Sequence, residues 1–434
     1  MNIPKHCDVV VIGGGPGGST AATALSQMGY EVALFDKARH PRYNVGESII
    51  PHFWKYCEQI KVDKKIEEEG FITKSGGTVI WNGVIRQVAF KDFGYKRPAL
   101  HVERDRLDYI LLEHAREQGA QIFEEVAVIN ANLDDGEKIG VRYRPNGEKT
   151  SDEIACRFII DASGQHAVIA RQLGIRVIDD EFRFMSIWGY FNDSKYFAAD
   201  GKAHRFEERR AIPPTTFVSN IDGWGWLWHI PQRESTSVGL VLPQEQMKAI
   251  KESDEALEQY FLRRCREIPY LNRLLENAKY CEGSFHVIRD YSYRPTEVAG
   301  PGFFLVGDAA AFTDPIFSIG VVMAMYSGSL ATWAIDRTLK NPRRAADSRA
   351  YFTKQFQTRL ETSRALALPH YGCKDKEIEM VKTELQWETS LEQELMYVVS
   401  KLTTRSENFV EMSRDLEGGV TTSNKFRVLE EISF

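Results

Sequence analysis

The sequence lacks a long apolar segment, and its cysteines are few and unpaired. The 434 residues include six cysteines, and no two of them form a CxxC pair. In a chain of this length, such spacing favours reduced thiols in the cytoplasm over a disulfide framework. No stretch approaches the roughly 18 apolar residues of a membrane span, and residues 1–7 lack the apolar core of a signal peptide. We therefore expect a cytoplasmic protein without a membrane span.

Two other kinds of binding site have little support. The ten histidines show no HExxH motif or other metal-ligand spacing, so we predict no metal site. The formal net charge of −6 gives no support for binding to nucleic acid. Hydrophobic residues make up 43% of the chain and charged residues 27%, which is the balance of a globular protein with a large core.

A glycine-rich turn is the first feature that is present. It fits the pattern GxGxxG and lies between a predicted strand, Asp8–Ile12, and a predicted helix, Ser19–Met28. Such glycines allow a tight turn and a close approach of the backbone to a pyrophosphate, and a carboxylate about 20 residues later can bind a ribose. The pattern therefore predicts a dinucleotide site formed by Gly13, Gly15, Pro16, Gly17, Gly18, Ser19, Asp36 and Lys37.

The order of predicted elements indicates an α/β fold in three parts. Residues 1–180 and 289–330 are predicted to form a Rossmann-like cofactor domain. Residues 181–288 contain mainly strand-like segments, which predict an inserted β-sheet domain for the substrate. Residues 331–434 are mostly helical, with a long amphipathic run at Asp375–Leu402, and are predicted to form a C-terminal lid or substrate region.

Three later segments resemble the FAD enzymes of the hydroxylase and geranylgeranyl reductase superfamily. Gly302–Ala310 resembles their second motif, in which the Asp, here Asp308, binds the ribityl–pyrophosphate region. Arg104 stands where that superfamily has a flavin-contacting Arg, and Asp161–Gly164 resembles its internal DxxG turn. The resemblance implies that the dinucleotide is FAD and that the fold is similar to that of p-hydroxybenzoate hydroxylase.

Four further motifs narrow the resemblance to the flavin-dependent halogenases. Trp226–Pro231 fits WxWxIP, Phe312–Gly320 fits FxxPxxSxG, and Gly46–Pro51 fits GE[ST]xxP. Phe71–Gly76 carries a lysine, Lys74, at the position of the family's catalytic lysine. The resemblance runs from residue 8 to about residue 330, roughly three quarters of the chain.

The resemblance implies a role for each motif. Reduced FAD, oxygen and chloride or bromide would give hypohalous acid, which Lys74 would present to an electron-rich aromatic ring. A buried lysine with a lowered pKa suits this task, because it can hydrogen-bond the acid or capture the halogen. The screen between flavin and substrate would be Trp226, Trp228, Ile230 and Pro231; the halide would lie at Ser318, Ile319 and Gly320; and Glu47, Ser48, Arg104, Asp308, Pro315 and Gly320 would contact the cofactor.

The substrate and partners follow from departures from the family pattern. Tryptophan halogenases have a Glu where this chain has Phe317, which favours a phenolic or pyrrolic substrate, free or tethered to a carrier protein. Many relatives have Ser or Thr in place of Ile319, which puts halide affinity in question. The chain has no separate nicotinamide motif, so a separate flavin reductase is expected. Candidate docking and pocket residues are Arg263, Arg264, Arg266, Trp387, Met396 and Tyr397.

Three alternative functions share the FAD motifs. An aromatic hydroxylase needs neither Lys74 nor the tryptophan screen, and its product gains oxygen instead of halogen. A reductase of the geranylgeranyl type would reduce prenyl groups without oxygen. A flavin-binding subunit without catalysis is the third alternative, and only Ile319 favours it.

Overall fold

The glycine-rich turn leaves the centre of a six-stranded sheet. The computed structural model describes residues 2–93, 95–133, 139–180, 183–221, 225–367 and 426–434. The central strands of this sheet consist almost entirely of buried apolar residues, as expected for a parallel sheet covered on both faces. All neighbours are parallel except the first pair, and the spatial order is Ala299–Gly300, Phe303–Leu305, Phe158–Asp161, Val9–Ile12, Val32–Asp36 and Gln121–Glu124.

Glycines bring two helices of this layer close together. A Cβ atom on Gly17 would lie 3.0 Å from the carbonyl oxygen of Ala324, and one on Gly328 would lie 2.5 Å from that of Gly17. The helix that follows the turn can therefore cross a long later helix at backbone contact. The helices of this layer include Pro16–Gln27, Arg104–Glu117, Val168–Gln172, Gly320–Lys340 and Ala345–Ala367.

A second, largely antiparallel sheet of nine strands faces this layer. Its strand Gly225–Pro231 alternates its side chains between two apolar clusters, so that Trp226 and Trp228 lie on one face and Leu227 on the other. The spatial order is Lys279–Tyr280, Phe184–Asn192, Thr236–Pro243, Gly225–Pro231, Thr215–Ile221, Gly76–Trp81, Val84–Ala89 and Phe426–Leu429, with His286–Arg289 also paired to Phe184–Asn192.

The α/β prediction is confirmed, but the second sheet extends beyond residues 181–288. Strands Gly76–Trp81 and Val84–Ala89 join it from the region predicted to belong to the cofactor domain. Phe426–Leu429 adds an edge strand from the region predicted to be a helical lid. Long-range strand pairing causes both differences, because local patterns predict a strand but not its neighbour.

A small three-stranded sheet connects the two layers. Ala99–His101 is its central strand and pairs antiparallel with Ser48–Ile49 and with Ile72–Lys74. Position 101 is opposite both Ser48 and Ile72, so this sheet brings the motifs Gly46–Pro51 and Phe71–Gly76 together on either side of His101. The remaining α-helices and strands are Phe53–Gln59, Asp63–Glu69, Val126–Asn132, Gly140–Pro145, Asp152–Ala155, Arg176–Ile178, Tyr196–Phe197, Ala203–His204, Gln244–Glu252, Leu257–Glu267, Leu271–Leu274 and Tyr293–Pro295.

Between residues 320 and 367 the chain is mainly helical, with Gly320–Lys340 followed by Ala345–Ala367. The predicted helix at Asp375–Leu402, with Trp387, Met396 and Tyr397, lies outside the described residues. Within the described ranges, no helix is both long and apolar enough to cross a membrane. In the same ranges, no three His, Cys, Asp or Glu residues are grouped so that they could hold a metal ion.

The packing of Trp228 gives a test of the second sheet. A Cβ atom on Gly239 would lie 2.1 Å from the indole of Trp228, so Gly239→Ala must displace that ring. We expect a loss of about 1–3 kcal/mol in the free energy of unfolding, as is usual for an overpacked core. Urea unfolding followed by tryptophan fluorescence measures this loss. Gly77→Ala is the control, because its added Cβ would meet its nearest neighbour at 3.5 Å, and equal stability of both variants would contradict the packing described.

Candidate functional site

A cavity of about 580 Å³ is lined by residues of both large sheets. It brings together most of the residues that the motifs predicted. Gly18, Ser19, Lys74, Pro231 and Ile319 do not line it. The predicted residues that line the cavity are Gly13, Gly15, Pro16, Gly17, Asp36, Lys37, Glu47, Ser48, Arg104, Trp226, Trp228, Ile230, Asp308, Pro315, Ser318 and Gly320.

The glycine turn presents uncapped backbone to this cavity. Gly13 has a φ of +101°, and a Cβ atom there would lie 2.4 Å from the carbonyl oxygen of Ala162. A Cβ on Gly18 would lie 1.9 Å from the carbonyl oxygen of Gly13, so both positions require glycine for the turn itself. Gly15 caps helix Pro16–Gln27 without a side-chain hydrogen bond, and a Cβ there would meet only Arg42, at 3.7 Å. The helix N-terminus is therefore open to an anionic group in the cavity.

The acidic residue that ends the second strand holds this turn in place. The carboxylate of Asp36 accepts hydrogen bonds from the backbone N–H groups of Gly14 and Ala38, each at 2.8 Å. Arg42 lies 3.5 Å from the same carboxylate. The hydroxyl of Ser19 donates to the carbonyl of Gly14, so Ser19 supports the turn from behind rather than facing the cavity.

Arg104 and Asp308 carry opposite charges beside the middle of the cavity. The guanidinium of Arg104 binds both oxygens of Asp108, at 2.9 and 3.1 Å, and donates to the carbonyl of Val45. Burial raises the pKa of Asp308 to about 6, although the positive charge of Arg104 opposes this shift. Gly46 has a φ of +102°, which favours glycine, and a Cβ there would lie 2.8 Å from the guanidinium.

Indole rings form one wall of the cavity. Trp226 and Trp228 are almost fully buried, and their ring centroids are 5.8 Å apart. Trp188, on strand Phe184–Asn192 beyond the intervening strand Thr236–Pro243, extends the row, with its centroid 6.2 Å from that of Trp228. The Trp228 indole N–H donates to the hydroxyl of Ser237 at 3.1 Å, which fixes the ring. Pro231 ends this strand outside the cavity, where its carbonyl accepts from His101.

Lys74 lies behind the cavity wall and contacts it through one hydroxyl. Its ammonium donates to Ser48 Oγ at 2.8 Å, and the hydroxyl of Ser318 donates to the same oxygen at 2.9 Å. Only 4% of the Lys74 side chain is exposed, and this burial lowers its pKa from 10.5 to about 7. Ser48 therefore joins three motifs that are far apart in the sequence.

The turn before the long helix Gly320–Lys340 forms the far end of the site. Ser318 has a φ of +57°, and Ile319 is the N-cap of the helix, without a side-chain cap. The side chain of Ile319 is buried in an apolar cluster with Ile49 and Val322, away from the main cavity. A Ser or Thr hydroxyl at position 319 would therefore not face the cavity. Isoleucine in place of Ser or Thr leaves the backbone amides at the helix start unchanged.

The motifs did not identify His101 and Thr216. Both are buried, and they continue the hydrogen-bonded chain from Ser48: the Thr216 hydroxyl lies 2.9 Å from Ser48 Oγ and 2.8 Å from His101 Nε2. The sequence signal for each is a polar residue within an apolar strand, which predicts burial but no partner. The motifs also did not identify Tyr190, whose hydroxyl donates to the carboxylate of Glu47.

The predicted docking arginines are partly neutralised by their neighbours. Arg263 forms ion pairs with Glu255 at 2.8 Å and with Glu267 at 2.9 Å. Arg264 also binds Glu267, at 2.9 Å. Exposed pairs of this kind contribute little to stability, but they reduce the net positive charge that an acidic partner would encounter.

Comparison with known proteins gives consistent similarities. The sequence matches the FAD binding domain family over residues 6–355. It is 32% identical over 359 residues to a tryptophan 2-halogenase from Chondromyces crocatus, and the aligned region covers 82% of this chain and 66% of that protein. It is 31% identical over 373 residues to the flavin-dependent halogenase armH3 of Armillaria mellea, and this alignment covers 82% of this chain and 72% of that protein. The chain thus spans about two thirds of the length of the first relative.

The structure resembles a solved halogenase as well. Its TM-score to the myxobacterial chondrochloren halogenase CndH, a variant of FAD-dependent halogenases, is 0.76 at 27% identity. The similarity covers 92% of this chain and 97% of that one.

Burial of Lys74 makes the stability of the cofactor-free protein depend on pH. The Lys74 amine keeps its proton up to about pH 10.5 in the unfolded chain but only up to about pH 7 in the folded protein. The free energy of unfolding should therefore rise between these two pH values. Lys74→Met should remove the part of this rise that is due to Lys74, and it should increase the free energy of unfolding at pH 7 by about 2 kcal/mol or more. Urea unfolding from pH 7 to 10 measures both effects. Lys64→Met, at an exposed position, is the control, and a parallel pH dependence in both variants would contradict the burial of Lys74.

Proposed function

Because this chain belongs to the flavin-dependent halogenase family of FAD-binding proteins, we propose that it halogenates an electron-rich aromatic compound. The observation that carries this proposal is the buried lysine that reaches the cavity through Ser48. Most lysines are exposed, and burying one costs stability, so a buried lysine with an altered pKa is a candidate functional residue. An aromatic hydroxylase has no need for such a residue.

The residues along the cavity suit FAD. The open helix N-terminus at Gly15 would hold the pyrophosphate, and the carboxylate of Asp36 would accept a hydrogen bond from a ribose hydroxyl. Arg104 and Asp308 would contact the flavin half of the molecule. When it is bound and reduced, FAD supplies, with oxygen, the oxidation that converts chloride or bromide into hypohalous acid. We propose that a separate flavin reductase provides the reduced cofactor.

The start of the long helix is the proposed halide site. Backbone N–H groups at Ile319 and Gly320 would bind the anion, since a helix N-terminus attracts negative charge. The hydroxyl of Ser318 donates to Ser48, which places the proposed halide site and the Lys74 ammonium on the same serine.

Lys74 is the proposed catalytic residue. With a pKa of about 7, it is present both as ammonium and as amine near neutral pH. The ammonium can hydrogen-bond hypohalous acid. The amine can displace water from this acid to form a haloamine, which transfers its halogen to the ring as the ring proton returns to the amine. Trp226 and Trp228 would keep the aromatic substrate away from the cofactor and so suppress hydroxylation.

Phenols and pyrroles are the proposed substrates. Their rings are electron-rich, so they need less assistance than an indole does. Phe317 packs against two apolar clusters and supplies no carboxylate that could accept an indole N–H. The pairing of Arg263 and Arg264 with carboxylates favours a free substrate over one tethered to a carrier protein.

Cofactor binding can be separated from folding at Gly15. A Cβ atom added there would meet no protein atom closer than 3.7 Å, so the first atom of a side chain fits at this edge of the cavity. Gly15→Val should therefore weaken FAD binding at least tenfold and leave the unfolding midpoint of the FAD-free protein unchanged. Fluorescence titration with FAD measures the affinity. Wild-type affinity for FAD in this variant would place the pyrophosphate elsewhere.

The activity itself has a direct assay. Purified protein with a flavin reductase, NADH, oxygen and bromide or chloride should add halogen to a phenol or pyrrole, which mass spectrometry identifies by its isotope pattern. Lys74→Ala should lower product formation at least a hundredfold, because the halogen is no longer presented to the ring. Free phenols, pyrroles, tryptophan and carrier-tethered acyl groups form the substrate panel. A product that gains oxygen would identify a hydroxylase, and an undiminished rate in Lys74→Ala would remove the lysine from the mechanism.

A further inference from the structure

A chain of hydrogen bonds leads from Lys74 through two residues of the cavity wall, Ser48 and Thr216, and ends on a backbone carbonyl. The Lys74 ammonium contacts Ser48 Oγ at 2.8 Å, and this oxygen lies 2.9 Å from Thr216 Oγ1. Thr216 Oγ1 lies 2.8 Å from His101 Nε2, and His101 Nδ1 lies 2.9 Å from the carbonyl oxygen of Pro231. His101 is fully buried, and Ser48 and Thr216 line the cavity, so the His101 end of the chain is shielded from the cavity.

The carbonyl at the end determines the direction of every bond in the chain. A carbonyl oxygen can only accept, so His101 Nδ1 must carry a hydrogen. Burial and the nearby charge of Lys74 hold the pKa of His101 well below its usual value, so the ring is neutral and Nε2 must accept. The Thr216 hydroxyl then donates to His101.

The same logic continues to the cavity. Because the Thr216 proton is directed to His101, the Thr216 oxygen accepts from the Ser48 hydroxyl. The Ser48 hydroxyl hydrogen is then donated to Thr216, and the Ser48 oxygen accepts hydrogen bonds from both Lys74 and Ser318. In this arrangement the hydroxyl protons of Thr216 and Ser48 each have an acceptor, and Ser48 Oγ accepts from two donors.

We propose that His101 is a positioning residue for Lys74, which acts through Thr216 and Ser48 to keep the Ser48 oxygen a hydrogen-bond acceptor. In the opposite direction, the Ser48 hydroxyl could donate to the lone pair of the neutral Lys74 amine and block it. In the direction set by His101, that lone pair stays available to a reactant. The benefit to catalysis rests on the proposed function, but the direction of the chain does not.

Few other charged groups act on His101. The groups that influence its protonation are Lys74, from the neighbouring strand, and His229, from the second sheet. Burial lowers the pKa of His229 to about 3, so it is neutral at physiological pH. Within the described residues, Lys74 is therefore the charge to which His101 responds.

The histidine tautomer can be read without any catalysis. In the full-length protein with ¹⁵N-labelled histidine, nitrogen NMR should show His101 as the neutral tautomer with hydrogen on Nδ1, with and without bound FAD. Comparison with His101→Gln assigns the signal among the ten histidines. Hydrogen on Nε2, or a charged ring at pH 7, would overturn the inference.

Substitution of the middle link tests the coupling to Lys74. Thr216→Val should move the His101 Nε2 signal and lower kcat for halogenation about tenfold, with KM changed less than twofold, because only the reacting amine is misaligned. Thr216→Ser retains a hydroxyl and should restore both readouts. Thr215→Val is the matched control, since Thr215 is the adjacent buried residue of the same strand and bonds instead to Thr78 and Phe197.

The possible outcomes separate the two proposals. If His101 carries hydrogen on Nδ1 and responds to Thr216→Val, but no halogenated product forms, the proposed function fails and the chain of bonds stands. If the protein halogenates and Thr216→Val changes neither the His101 signal nor kcat, the positioning role fails and the proposed function stands. The tautomer is read on the unsubstituted protein, so poor folding of a variant does not remove the test.

Discussion

The burial of Lys74 is the constraint on which the rest of the site depends. A charged amine taken out of water loses its solvation, and its lowered pKa is the measure of that loss. Among the described residues, the ammonium is stabilised by the hydroxyl of Ser48, which is in turn held by Thr216, and by the ring of Phe90, whose centroid is 5.4 Å away. The small three-stranded sheet makes this possible, because its backbone pairing aligns the strands that carry Ser48, His101 and Lys74.

The cavity exists because the two large sheets do not pack directly against each other. On one side, the turn at Gly13 and Gly15 presents backbone instead of side chains. On the other, Trp226 and Trp228 form a rigid surface that cannot collapse into the space, since Gly239 seats the indole of Trp228 from behind. The volume is thus maintained by stiff walls, which is the arrangement expected of a largely preformed ligand site.

Local sequence patterns predicted those parts of the site that depend on local geometry. The GxGxxG turn requires only the spacing of its glycines, and the face shared by Trp226 and Trp228 follows from strand alternation. His101 and Thr216 could not be predicted, because their contacts depend on which strands pair across more than a hundred residues. The same cause made the second sheet larger than predicted, since residues 76–89 show no local sign of the strand Thr215–Ile221 beside them.

At Ile319, where many relatives have Ser or Thr, the backbone and the side chain have separate roles. A contact made by an N–H group depends on the course of the chain, which here is fixed by the positive φ of Ser318 and by the start of helix Gly320–Lys340. The side chain of Ile319 points into an apolar cluster on the other side, where a larger hydrophobic group stabilises that course. A change of side chain at such a position alters packing and leaves the donors in place, so Ile319 is compatible with an intact anion site.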